Sequence, residues 1–126
     1  MFDHILLPVD GSEASQRAQQ YTQVLASAFD AEVHALFVLE NGGLIEGVDD
    51  GSASGEIESA LRETAESTLD GVVTACEAAS ITVRTSITSG HPTEAILEYI
   101  GASDVDIVVL GAHARGRLAR FLRASI

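Results

Sequence analysis

Strand-like and helix-like stretches follow one another along this chain without interruption, and that order limits its fold more than any single residue does. Ile5-Leu6-Leu7-Pro8-Val9 is a continuous apolar run, expected of a strand buried on both faces of a parallel sheet. Asp10-Gly11-Ser12 ends it, and Ser12 is placed to cap a helix whose apolar positions Ala14, Ala18, Tyr21, Leu25 and Ala28 step by four and three. Val33 to Leu39 reads as a second strand, and the Gly-, Asp- and Ser-rich residues 41–55 as a loop. Ile57, Leu61, Ala65, Leu69, Val72, Cys76 and Ala79 then mark one face of a long helix. From Ile81 to Thr88 apolar and polar residues alternate, which predicts an edge strand with one face in water. Pro92 suits the first turn of a helix running to about Ser103, and Asp106-Ile107-Val108-Val109-Leu110-Gly111 predicts a fourth strand as apolar as the first. The order βαβαβαβ implies a doubly wound, Rossmann-like α/β domain: a parallel sheet with right-handed crossovers and helices on both faces.

The 126 residues suffice for a single domain spanning 1–126, with no linker or internal repeat dividing it. Hydrophobic residues make up 46%, which argues against intrinsic disorder, yet no apolar run approaches the ~20 residues that cross a bilayer, so no membrane partner is expected. Met1-Phe2-Asp3-His4 carries an acid where a secretory signal has its basic start, and a lone cysteine, Cys76, makes no internal disulfide; both favour the cytoplasm. Seven basic against nineteen acidic residues give a net charge of −12, which disfavours nucleic acid as a partner. All seven basic residues are arginines, and a lysine-free acidic surface fits a salt-adapted cell. The charge is uneven. Arg115, Arg117, Arg120 and Arg123 give residues 107–126 a charge of +4, leaving three arginines and nineteen acids, or −16, on residues 1–106. A basic segment on so acidic a body is a candidate anion site.

Ligands of open α/β sheets bind beyond the carboxyl ends of the strands, where the winding reverses. The edge character of the third strand predicts the order 3-2-1-4, so the reversal falls between strands one and four. The loops meeting there are Asp10-Gly11-Ser12 and Gly111-Ala112-His113-Ala114-Arg115-Gly116, with an acid on one side and glycines and arginine on the other. A nucleotide, with hydroxyls and phosphates, suits both. Each residue also has a plainer role: Asp10 to begin an Asx turn, the arginines to solvate an amphipathic helix. Cys76 lies on an apolar stripe and reads as core. His4, His34, His91 and His113 show no ligand spacing, so no metal site is expected. A lysine-free chain has no G-x-x-x-x-G-K-[ST] loop, and Ser12 lacks the flanking glycines of a nucleophile elbow.

Three segments, in order and spacing, resemble the universal stress protein family: Ile5-Leu6-Leu7-Pro8-Val9-Asp10-Gly11-Ser12, Gly90-His91-Pro92 before a helix, and Asp106-Ile107-Val108-Val109-Leu110-Gly111-Ala112-His113. The resemblance covers essentially the whole chain and implies a doubly wound α/β domain that usually dimerises, with ATP bound by some members and not by others. It would place Pro8 and Asp10 beside ribose and Val38 against adenine, with Val9, Gly11, Ser12 and Gly90 in the same site. The family's phosphate pattern, G-x2-G-x9-G-[ST], falls on Gly111, Ala114, Ala124 and Ser125, so alanine stands at two glycine positions. Alanine adds a Cβ where backbone N–H groups would approach phosphate. Gly116 and Arg115 or Arg117 are conceivable compensations, with His113 in the same loop. Family members also continue into a fifth strand that helps build the dimer, so the sequence is expected to be truncated at Ile126.

The expected function is stress-linked, regulatory or protective binding of an adenine nucleotide, ATP, in the cleft between strands one and four, with Mg²⁺ only as the nucleotide's companion. No residue is evidently placed as an efficient general base, so slow hydrolysis is the most expected of it. The alternative is a dimeric interaction module of the same family that binds no nucleotide. A nucleotidyl transferase would need a catalytic histidine motif that Gly90-His91-Pro92 does not supply.

Overall fold

The computed structural model describes residues 3–40, 51–112 and 116, with residues 51–58 by their backbone alone. Four parallel strands, β1 (His4–Val9), β2 (Glu32–Leu39), β3 (Val83–Ser89) and β4 (Ile107–Val108), form one sheet in the order β3-β2-β1-β4. The helices α1 (Glu13–Phe29), α2 (Gly51–Ala78) and α3 (Pro92–Ala102) lie between them in the chain. Expected order and direction are both observed.

Alternation along β1 and β2 divides the core. Ile5, Leu7, Val9, Val33, Ala35, Phe37 and Leu39 face α1 and α2, meeting Ala18, Ala26, Ala65, Leu69, Val72 and Cys76. Leu6 and Leu36 point the other way, onto Ile96 and the partly buried Val38, Tyr99, Ile100, Val108 and Leu110. Continuous apolar strands follow from this: with helices on both faces, both sets of side chains leave water. The single cysteine lies in the first cluster, where burial pushes the Cys76 thiol up from its ordinary pKa.

Four expectations need correction. The buried face of α1 is Ser15, Ala18, Thr22 and Ala26, whereas Tyr21 is 70% exposed. Small side chains let the helix lie close to the sheet, and the hydroxyls tolerate burial because they are satisfied locally: Thr22 Oγ1 donates to the Ala18 carbonyl at 2.8 Å. Residues 51–55, expected as loop, are the first residues of α2; the propensity cost of Gly and Ser, at most about 1 kcal/mol each, does not stop a helix anchored by its later turns. The third strand pairs from Val83, although Ile81 is buried at its entrance. The fourth pairs only over Ile107–Val108, and residues 107–110 are half-buried. Among the described residues it has a ladder on one side alone, and after Val109 donates to the Leu6 carbonyl Gly111 comes against α1.

Ser12 caps α1 as expected, its Oγ accepting from the Ser15 N–H at 3.1 Å. Pro92 opens α3 behind the N-cap His91. β3 is the edge strand that its alternation predicted, with Arg84, Thr85, Thr88 and Ser89 exposed. No helix among the described residues is long and apolar enough to cross a membrane.

Candidate functional site

At the carboxyl ends of β1 and β2 the sheet opens into a cleft of about 140 Å³. Its floor is apolar, made by Pro8, Leu36, Val38 and Ile96, and its rim carries Asp10, Ser12, Glu40, Thr93 and Gly111. The cleft lies at the carboxyl end of β1, with β2 on one side and Gly111 after β4 on the other, and β1 is where the strand order reverses, the switch point expected for a ligand.

Asp10 is fixed by the turn it begins. Its Oδ1 accepts from the Ser12 N–H at 2.9 Å, an Asx turn, and its own N–H donates to Ser15 Oγ at 3.2 Å. The Asx-turn role raised by the sequence is thus present, and it orients the carboxylate at the cleft rim. Gly11 completes the turn with φ +83°, a left-handed value that a side chain would strain.

Gly111 has a different requirement. A Cβ built on it would lie 3.0 Å from the backbone carbon and oxygen of Ala14 and 3.2 Å from the Ser15 nitrogen. Gly111 therefore lies directly against the first turn of α1, closer than a side chain ordinarily approaches backbone. This contact joins the two loops that the sequence placed on either side of the switch point.

Of the expected site residues, Pro8, Val9, Asp10, Ser12, Val38 and Gly111 line the cleft. Gly11 instead borders a groove on the opposite face, near Thr68 and Gly71. Gly90 ends β3 with its N–H on the Leu39 carbonyl and does not line the cleft; Pro92 and Thr93, just beyond it, do. Gly116 is exposed, with open space where a Cβ would stand and no place in the cleft lining. His113, Ala114, Arg115, Ala124 and Ser125 lie outside the described residues. The sequence pattern did not single out Leu36, Glu40, Thr93 and Ile96. Leu36 and Val38 are two apart on one strand, so naming Val38 as a contact implied Leu36 beneath it.

A second cluster gathers at the opposite, amino end of the strands. His4 Nδ1 lies 3.1 Å from His34 Nε2 and 3.3 Å from Glu32 Oε2, and His34 Nε2 lies 3.7 Å from the same oxygen. The other nitrogen of His34 is 2.7 Å from the Tyr99 hydroxyl, and Glu32 Oε1 accepts from Arg84 Nε at 2.7 Å. Burial holds the His34 pKa below the ordinary value, with His4 and Arg84 acting in the same direction and Glu32 against it. His4 and His34 are thirty residues apart in sequence, and only the parallel register, with His4 opposite Glu32 and Leu6 opposite His34, brings them together.

An open parallel sheet in the order β3-β2-β1-β4, with a cleft at its carboxyl end, defines a doubly wound α/β protein. The sequence matches the universal stress protein family over residues 1–126, and the chain belongs to that family. A universal stress protein of Methanocaldococcus jannaschii is 28% identical over 126 residues, covering 100% of this chain and 74% of the relative. Among solved structures, a universal stress family protein from Burkholderia pseudomallei superposes with a TM-score of 0.80 at 20% identity, over 97% of this chain and 91% of that one. A universal stress family protein from Arabidopsis thaliana with AMP bound gives a TM-score of 0.71 at 16% identity, over 94% of this chain and 82% of that one.

Proposed function

We propose that this universal stress protein binds an adenine nucleotide, ATP in the first instance, in the cleft between β1 and β4 as part of a regulatory or protective response. The observation that carries the reading is the cleft itself, an apolar floor beside an oriented carboxylate at the switch point. Pro8, Leu36, Val38 and Ile96 offer flat apolar surface to adenine, and Asp10 an acceptor to ribose hydroxyls. Its volume of about 140 Å³ falls below the roughly 300–1,000 Å³ of pockets that enclose a whole drug-sized ligand, so it takes the base and part of the sugar. The phosphates fall to the chain after Gly111, where the family resemblance assigns Ala114, Ala124 and Ser125 and where Arg115 adds charge. Mg²⁺ accompanies the triphosphate and is not held by a protein cage. The AMP-bound Arabidopsis relative supports the ligand class.

The same reading has the chain acting in the cytoplasm of a salt-adapted cell, as a homodimer of single-domain subunits, with hydrolysis slow at most. Calorimetric titration with ATP·Mg at multimolar KCl tests it. Heat of binding that is abolished by a bulky side chain at Val38 supports the cleft. No heat and no thermal shift at millimolar ATP removes the nucleotide and leaves the interaction module, with alanine at two glycine positions of the phosphate pattern.

A further inference from the structure

We propose that His4, Glu32 and His34 form a binding site for a divalent transition-metal ion of the zinc class, at the end of the sheet opposite the nucleotide cleft. The proposal does not depend on nucleotide binding. Three donor atoms, His4 Nδ1, His34 Nε2 and Glu32 Oε2, lie within 4.8 Å of one another. Their separations of 3.1, 3.3 and 3.7 Å bracket the edge of a metal tetrahedron, about 3.3–3.4 Å for ligands roughly 2.0–2.1 Å from the ion. A small inward adjustment of His34 and Glu32 therefore completes three corners, and the fourth is left for water. Two imidazoles and one carboxylate suit Zn²⁺, Co²⁺, Ni²⁺ or Cu²⁺ and are too nitrogen-rich for Ca²⁺ or Mg²⁺.

The surroundings are arranged as a metal site requires. With its proton on Nδ1, His34 donates to the Tyr99 oxygen at 2.7 Å and turns the Nε2 lone pair into the cluster. Arg84 takes the other oxygen of Glu32, which aims Oε2 inward. The backbone N–H of His4 donates to Asp106 Oδ2 at 2.9 Å, and its carbonyl accepts from the Asp106 N–H, which fixes the least buried ligand at its main chain. The cluster is graded in exposure: the His34 side chain is 6% accessible, that of Glu32 17% and that of His4 33%. His4 and Glu32 border an open groove that Asp3 and Asp30 also line, which adds two carboxylates to the negative charge there. Arg84 opposes that cation by charge, but its side chain is 68% exposed and its charge is shared with the Glu32 oxygen that faces away from the site.

Titration of the chelator-treated protein with Co²⁺, read by the visible d–d bands of a four-coordinate ion, tests the proposal. The expected result is one ion per chain, displaced by Zn²⁺, with a rise in Tm. His4→Ala and Glu32→Gln, both at partly accessible positions, are expected to weaken binding at least tenfold. Tyr99→Phe, which keeps the ring and removes only the hydroxyl, is expected to weaken it by about ten- to a hundredfold. His91→Ala, on a distant loop, should leave binding unchanged. Circular dichroism establishes that each variant is folded. No uptake by the parent protein, or equal uptake by His4→Ala and Glu32→Gln, overturns the site and leaves the cluster as a hydrogen-bond network.

Discussion

The backbone of His4 is bonded to Asp106 from both directions: its N–H donates to Asp106 Oδ2, and its carbonyl accepts the Asp106 N–H, each at 2.9 Å. Asp106 Oδ2 also accepts the Asp3 N–H at 2.8 Å. These N–H groups, that of His4 foremost, hold the Asp106 carboxyl below the usual carboxylate range. One residue thus aligns β4 with β1, although β4 itself contributes a ladder of only two residues.

Replacing Asp106 with Ala is expected to release that alignment. Amide hydrogen exchange at Asp3 and His4 should accelerate and Tm should fall, while amides at the centre of β2 keep their relative protection. Unchanged exchange at His4 would show that the two-residue ladder suffices to hold the edge.

The tight approach of Gly111 to Ala14 separates it sterically from Gly116, the other glycine of the segment. Gly111→Ala should destabilise the protein by about 1–3 kcal/mol, because its Cβ displaces backbone and not a flexible side chain. Gly116→Ala, with open space around it, should be neutral or stabilising by up to about 1 kcal/mol. Urea unfolding of the pair measures the difference, and equal midpoints would place the segment after β4 away from α1.

Asp10 has two roles that one substitution separates. Asn retains an oxygen for the Ser12 N–H and removes the charge, so Asp10→Asn should fold with little loss of stability. Under the proposed function it should weaken ATP by roughly ten- to a hundredfold, since hydrogen bonds to charged groups contribute about 1.5–3 kcal/mol. Calorimetry on folded Asp10→Asn decides, and parental affinity would move the ribose elsewhere.

Cys76 is expected to be inert towards thiol reagents in the native state. Burial raises its pKa, so the thiolate is scarcer in the folded protein than in the unfolded chain. The sign for stability follows. The contribution is complete below the unfolded pKa and is lost as pH rises through the folded value. Disulfide-exchange labelling at pH 8 should track global unfolding with denaturant, and rapid labelling without denaturant would contradict the burial.

Tyr21 and Thr22 test the corrected face of α1. Tyr21→Gln should change stability by no more than about 0.5 kcal/mol, as surface substitutions do. Thr22→Ala removes a buried hydroxyl and methyl and should cost more. Thermal unfolding of both variants ranks them, and the reverse ranking would restore the face drawn through Tyr21.

The strand order was legible because burial leaves a one-dimensional trace. β1 and β2 are covered on both faces and read as unbroken apolar runs, while β3 lies at an edge and alternates. The Asx turn and caps at Asp10 and Ser12 were legible for a similar reason, since they are formed with neighbours in the chain. The face of α1 was misread because hydrophobicity does not report how closely a helix approaches a sheet. Ser15 and Thr22 are buried where small size and local hydrogen bonds outweigh polarity.

Contacts between distant segments leave no such trace. The family pattern gives Gly111 a place that Gly116 lacks, but not its steric requirement, which lies in the backbone of Ala14 nearly a hundred residues away. His4, Glu32, His34 and Tyr99 carry no shared spacing either. Parallel register and the return of α3 set them side by side. The sequence by itself determined the α/β class, the order of the sheet and the end at which a cleft opens, since each follows from local periodicity and from handedness rules that hold for any such chain. Tertiary structure alone decided which side chains meet at the two ends of the strands, because those meetings depend on register and on distances between elements that no local pattern encodes.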